Sequence, residues 1–187
     1  MTTAQDVTTA EEYEALRASV EEFARKEVAP VIADLYVGVE FPDDITAKMG
    51  EMGLFGMPVL GSYGGMGGDY HALCLALEEL ARVDSSVAIT VEAGVGLGAM
   101  PILRFGTDEQ KARWLPDLAA GRTLGAFGLT EPGGGSDAGA TRTTARLDGD
   151  EWVINGSKCF ITNSGTDITS VVTVTAVTGE KPDGRKE

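Results

Sequence analysis

Apolar side chains recur every three to four residues through the first two thirds of the chain, and at shorter intervals after residue 121. Tyr13, Leu16, Val20 and Phe23, continued by Val28, Val31, Ile32 and Leu35, predict a long amphipathic helix that Pro30 kinks or divides. Thr9 and Glu12 stand at the spacing of a capping box at its start. Phe41-Pro42-Asp43-Asp44 opens a shorter helix whose acidic first turn suits the helix dipole, and Gly53 is its stop. Residues 61–68, GSYGGMGG, read as a loop. Asp69 caps a helix running to about Val83, with Leu73, Cys74, Leu77 and Leu80 on one side. Residues 86–105 are mostly apolar and rich in small side chains, which predicts a buried helix closely packed by its neighbours. Thr107 and Gln110 form a second capping box; Trp114, Leu115 and Leu118 face inward from the turns that follow, with Pro116 opening a short final turn.

Beyond Gly121 the segments 124–130, 141–147, 151–155, 158–162 and 169–177 are short and rich in β-branched and aromatic residues. Turn chemistry (Pro-Gly-Gly-Gly, Asp-Gly-Asp, Asn-Gly) separates several of them, so they read as strands. The expected class is therefore α+β: an all-α helical domain over residues 1–121, then a partial antiparallel β domain over 122–187. The last apolar strand is followed by a polar tail, which leaves an open sheet edge and suggests an interrupted domain.

Charge narrows the function. With 29 acidic against 15 basic residues the net charge is −14, opposite to what phosphate-backbone binding needs, so nucleic acid is not expected as a partner. Nor is membrane insertion, since no apolar run is read as a span. The first residues carry neither a basic, apolar signal nor an Arg-rich transit pattern, which makes a cytoplasmic location the expectation. Cys74 and Cys159 lack metal or disulfide spacing, and the single histidine, His71, leaves no material for a histidine metal site or a serine triad. No metal ligand and no catalytic side chain is assigned.

Two segments carry candidate chemistry. Residues 127–139, FGLTEPGGGSDAG, run from a strand into three glycines and then Ser136 and Asp137; backbone N–H groups freed of side chains can converge on an anion there, although GGG alone also describes a plain hairpin loop. Residues 151–164, EWVINGSKCFITNS, alternate so that Trp152, Ile154, Lys158, Phe160 and Thr162 share a face, provided the Asn155-Gly156 turn keeps parity. An aromatic ring and a hydroxyl two residues apart can cover a planar ligand and bond its edge, but any half-buried strand looks similar.

Together these segments resemble the acyl-CoA dehydrogenase family. Its middle-domain signature, an aromatic residue and then L-T-E-P-x-x-G-S-D, is matched by Phe127-Gly128-Leu129-Thr130-Glu131-Pro132-Gly133-Gly134-Gly135-Ser136-Asp137. Its stretch ING-x-K-x-[WF]-I-T-N is matched by Ile154-Asn155-Gly156-Ser157-Lys158-Cys159-Phe160-Ile161-Thr162-Asn163. E-V-A-P at 27–30, Tyr63-Gly64-Gly65 and the F-G-T-D-E-Q-K run at 105–111 follow in the family's order.

The resemblance implies FAD as cofactor, contacted by Phe127, Gly128, Leu129, Thr130 and Ser136, with Phe160, Ile161 and Thr162 beside the isoalloxazine; Ser136 also lies near the acyl-CoA substrate. It implies α,β-dehydrogenation of an acyl-CoA thioester in the breakdown of fatty or branched-chain acyl groups, an electron-transfer flavoprotein as acceptor, and a homo-oligomer, tetramer or dimer. It places the catalytic glutamate in a C-terminal helical domain that this sequence lacks, so the fragment alone is expected to be inactive. Glu131 is read as structural, and Glu92 as satisfied on a helix surface. An acyl-CoA oxidase or a flavin monooxygenase on the same scaffold, or a truncated non-catalytic module, remain alternatives. Gly94-Val95-Gly96-Leu97-Gly98 is read as close helix packing, because no strand precedes it as a dinucleotide fingerprint requires.

Overall fold

The computed structural model describes residues 9–180 and residue 182; the start of the chain and most of the polar tail lie outside the described residues. Helix α1 (Ala10–Phe23) begins at the expected capping box: the Thr9 hydroxyl accepts from the Glu12 N–H and the Glu12 carboxylate accepts from the Thr9 N–H. It runs into a π-helical turn at Ala24–Val28, and the chain restarts as α2 (Ile32–Gly38). Pro30 lies between them, at the place where a ring without an N–H stops the ladder. Helix α3 (Asp43–Glu51) ends with Gly53 at φ +77, the left-handed conformation of a helix terminator.

Helix α4 (Tyr70–Ala81) is capped by the Asp69 carboxylate on the Ala72 N–H. Its buried side holds Ala72, Leu73, Ala76 and Leu80, whereas Cys74, expected inside, is exposed. Glu79 is buried on that same helix and is held by Arg17 at 2.9 Å and Arg82 at 3.1 Å. The apolar stretch forms α5 (Ser85–Glu92), a π-helical segment at Ala93–Ala99, and α6 (Met100–Phe105) without interruption. At 21 residues this helical run is long and apolar enough to cross a membrane by length and composition, where no span is expected from the sequence; 56% of its most apolar stretch is buried against the rest of the fold, as a core helix is. Helix α7 (Asp108–Ala119) starts at the second capping box and contains Pro116 within it, not at the head of a separate turn.

Strands β1 (Leu124–Gly128), β2 (Thr144–Asp148), β3 (Glu151–Asn155) and β4 (Thr169–Val174) make two two-stranded sheets. The β2–β3 pair is an antiparallel hairpin turned at Gly149, which takes φ +63. The β1–β4 pair is parallel, with Phe127 opposite Thr173 and Gly128 opposite Val174, where an antiparallel arrangement was expected. The chain leaves β1, passes through the glycine loop and the hairpin, and re-enters at the same end; that crossover is what a parallel pair requires.

No separate β core exists among the described residues. Leu124 belongs to the main hydrophobic cluster with Phe55, Leu80 and Val91, and Val171 packs on a second cluster of Val59, Ala99, Leu115, Leu118 and Ala119. The β1–β4 ribbon therefore rests directly on the helices. The approach is closest at Gly98 and Gly125: a Cβ on Gly98 would lie 2.7 Å from the Gly125 Cα.

The segment 158–162, expected as a strand, is irregular. Phe160 and Asn163 take φ values of +57 and +64, which no extended strand accommodates. Lys158 turns inward while Phe160 is exposed, so the shared face expected for Trp152, Ile154, Lys158, Phe160 and Thr162 does not form.

Candidate cofactor site

The two signature segments meet. The Cys159 N–H donates to the Thr130 carbonyl at 2.9 Å, joining the early part of the first segment to the middle of the second. Beside that bond the Lys158 ammonium spends its three donors on the Leu129 carbonyl (3.0 Å), Glu131 Oε1 (2.9 Å) and Thr175 Oγ1 (3.1 Å). Glu131, 8% exposed, also accepts from the backbone N–H groups of Arg142 (2.7 Å, Oε2) and Thr143 (2.8 Å, Oε1). One ion pair thus clips together the exit of β1, the approach to β2, the turn after β3, and the end of β4.

These donors decide what Glu131 can do. Thr143 foremost, then Lys158 and the Arg142 amide, hold its carboxyl far below the usual carboxylate range. A general base should titrate near the working pH, so Glu131 is unsuited to proton abstraction and serves as a structural anchor. Because its folded pKa is depressed, its contribution to stability is complete above the unfolded value near 4.5 and is lost as pH falls toward the folded value. Urea midpoints of the wild type are expected to drop between about pH 5 and about pH 3, and Glu131→Gln should start lower and show a shallower drop. Equal slopes for the two proteins would mean that the carboxylate carries none of the acid sensitivity.

The remaining site residues occupy distinct places. Phe127 is half-buried within β1, and Gly128 is buried; its carbonyl accepts from the Thr175 N–H at 3.1 Å. Leu129 and Thr130 are half-buried beside the clip. Ser136 is exposed on the glycine loop, after the small turn in which Glu131 and Gly134 bond each other. Phe160 is 93% exposed, an aromatic ring held out from the protein by a left-handed backbone. Ile161 is half-buried, with its carbonyl taken by the Ser164 N–H and hydroxyl. Thr162 lines an open groove of about 530 Å³ whose other walls include Leu35, Phe41, Ile89 and Thr90. That volume falls in the range of small-molecule sites.

This arrangement offers bare backbone and hydroxyls at one segment, an unsupported aromatic ring at the next, and an apolar groove beyond. A flat ring system could lie on Phe160 with its edge toward Thr162, while the glycine loop stays free of side chains that would block a phosphate. Glu92 does not join the site: its carboxylate folds over Gly96, where a Cβ would meet Oε1 at 2.9 Å. The Glu131–Lys158 pair was half legible, since both residues lie in the motifs, but Thr175 was not. Asn163 and its partner on α5 were also missed, because the contact spans 73 positions.

The chain is thus a helical layer carrying a small β region on which the two motifs touch. Family models then specify it: the acyl-CoA dehydrogenase N-terminal domain matches residues 10–122 and the middle domain matches residues 126–187. The chain belongs to the acyl-CoA dehydrogenase family. It is 49% identical over 174 residues to the probable acyl-CoA dehydrogenase YngJ of Bacillus subtilis (strain 168), covering 93% of this chain and 45% of that protein. A chain from a structure of the electron transferring flavoprotein of Acidaminococcus fermentans superposes with a TM-score of 0.85 at 43% identity, over 96% of this chain and 47% of that one. An acyl-CoA dehydrogenase from Bacillus anthracis, complexed with FAD, superposes at 0.84 with 39% identity, over 98% and 31%. The chain spans less than half the length of each of these proteins.

Proposed function

We propose that this chain is the flavin-facing part of an enzyme that carries out FAD-dependent α,β-dehydrogenation of an acyl-CoA thioester, passing electrons to an electron-transfer flavoprotein and working as a homo-oligomer. The observation that carries the reading is the junction of the two motifs, where the Cys159 N–H bonds the Thr130 carbonyl and Lys158 bridges Leu129 and Glu131. Bound FAD would supply the two-electron acceptor for hydride. The residues that would hold it are the 127–130 backbone and Ser136 on one side, and Phe160, Ile161 and Thr162 on the other. Phe160 would cover one ring face and exclude water from it, and Thr162 would present a hydroxyl to the ring edge. Ser136, exposed at the loop, would also reach the thioester end of the substrate. No carboxylate in the described site is suited to removing the α-proton, since Glu131 is held ionised by Lys158 and the Arg142 and Thr143 amides; the base is assigned outside these residues.

The test is FAD titration of the purified chain, followed by flavin absorbance and fluorescence. Wild type is expected to take up FAD, and Phe160→Ala to weaken it by roughly three- to ten-fold, the worth of one aromatic stacking contact. The ligand-free melting temperature should not move, because this ring touches little of the fold. Equal FAD affinity in the two proteins would remove Phe160 from the site. In the enzyme as a whole, reduction of the flavin by acyl-CoA without fast reoxidation by oxygen is the expected behaviour; rapid reoxidation would favour an oxidase.

A further inference from the structure

Helix α5 changes character at its end, beside a carbonyl that a distant side chain reaches. The Ala93 N–H sits against the carbonyls of Ile89 and Thr90, and the seven residues Ala93–Ala99 are π-helical. Such insertions disturb the regular pairing of carbonyls with amides and collect at functional sites. The Thr90 carbonyl is taken by a side chain from far along the sequence: Asn163 Nδ2 donates to it at 2.9 Å. A carbonyl only accepts, so this contact sets the orientation of the amide.

Three further features make Asn163 specific. It sits at φ +64, a region that asparagine tolerates better than other residues bearing a Cβ, and it is 4% exposed. Gly94 faces it; a Cβ there would stand 3.6 Å from Nδ2 and 3.0 Å from the Phe55 ring, so glycine keeps the approach open. Its own carbonyl accepts the Thr169 hydroxyl at 2.7 Å, while the Ser164 N–H and hydroxyl close on the Ile161 carbonyl at 3.2 and 2.7 Å. Among the described residues the amide oxygen is buried without a partner, so the bond to Thr90 is the only one its side chain makes with them.

We infer that Asn163 is a positioning residue: it fixes the arc Phe160–Thr162 by pinning it to the Thr90 carbonyl, and so sets where the ring of Phe160 and the hydroxyl of Thr162 stand relative to the groove wall on α5. This rests on the reading of residues 160–162 as cofactor-facing. Through Asn163 the end of the arc at Thr162 and Ile89–Thr90, which line the same groove, become one rigid wall.

The experiment compares wild type with Asn163→Gly, which keeps the left-handed backbone and removes the bond, in the full 187-residue chain. Hydrogen–deuterium exchange of peptides over 160–164 is expected to speed up roughly ten-fold, the order of one net hydrogen bond, with α1 and α4 unchanged as internal references. FAD affinity is expected to fall roughly five-fold or more, with a shifted flavin absorbance band that reports a moved ring. Asn163→Asp keeps the shape but cannot donate once ionised, and at pH high enough to ionise it should follow the glycine variant. Unchanged exchange in the arc overturns the inference, as does unchanged flavin affinity and spectrum where wild type binds FAD. If wild type takes up no FAD, the functional reading falls and the exchange comparison alone decides the role of Asn163. Should Asn163→Gly fail to fold, Thr169→Val loosens the same arc from its other side and is read by the same exchange measurement.

Discussion

Gly98→Ala is expected to lower the melting temperature by roughly 4–8 °C, and Gly98→Val to abolish soluble folded protein. Alanine is the better helix former by about 1 kcal/mol, so propensity alone predicts the opposite sign. Packing reverses it. A Cβ at Gly98 would lie 2.7, 2.9 and 3.0 Å from the Cα, C and O of Gly125. All three are backbone atoms of β1, which is itself locked to β4, so no side chain can swing aside to make room. Overpacking of this kind typically costs about 1–3 kcal/mol, and in a chain of this size each kcal/mol is worth about 2–4 °C. The site lies at the contact between the π-helical segment and β1, where the ribbon bearing Phe127–Thr130 rests on the helices. Displacement there also carries the first signature away from the second. Gly61→Ala is the control: nothing stands within 4 Å of its Cβ position, and its backbone is not left-handed. If thermal melts show Gly98→Ala as stable as Gly61→Ala, the glycine–glycine contact is not what joins strand to helix.

Lys158→Met is expected to lower the melting temperature by roughly 5–10 °C and to weaken FAD binding, although Lys158 is assigned no contact with the cofactor. The ammonium, 11% exposed, is fully bonded by three acceptors on two segments, Leu129 and Glu131 after β1 and Thr175 after β4. Methionine matches its length and fills the space, so the loss is electrostatic and not a cavity. What remains is a nearly buried Glu131 carboxylate with two amide donors and no counter-charge. Removing one member of a buried pair costs more than removing both, because the survivor keeps its desolvation cost without its partner. The double variant Lys158→Met/Glu131→Gln should therefore be more stable than Lys158→Met alone. Strict additivity of the two single effects in melting temperature would show that the two residues act separately.

How much of this was written in the order of residues can be judged element by element. Both capping boxes formed as read, because the Thr9–Glu12 and Thr107–Gln110 contacts close within four residues and need nothing from the rest of the fold. Pro30, Gly53 and Asp69 likewise mark boundaries through their own backbone chemistry. The glycines at 94 and 98 proved to be packing positions, against Phe55 and Gly125. The family and the two motifs were equally legible, since a motif is a local string, and the matched family models bear that identification out.

What the local sequence could not decide is direction and pairing. Residues 158–162 carry strand composition, yet Lys158 finds an acid 27 positions earlier, and that attraction turns the backbone inward and rules out the alternation that β-propensity predicts. The parallel pairing of β1 with β4 likewise depends on where the crossover returns, a long-range matter with no signature in either strand. Cys74 fits an apolar stripe by spacing but faces solvent, since a helix has more apolar positions than its neighbours cover. The sequence by itself determined the helices, their caps and the family, because each is legible in residues that lie within a few positions of one another. Only the tertiary structure decided the Glu131–Lys158 clip, the Asn163–Thr90 pin and the projection of Phe160, because these depend on which distant carbonyls, amides and charges the fold brings within hydrogen-bonding reach.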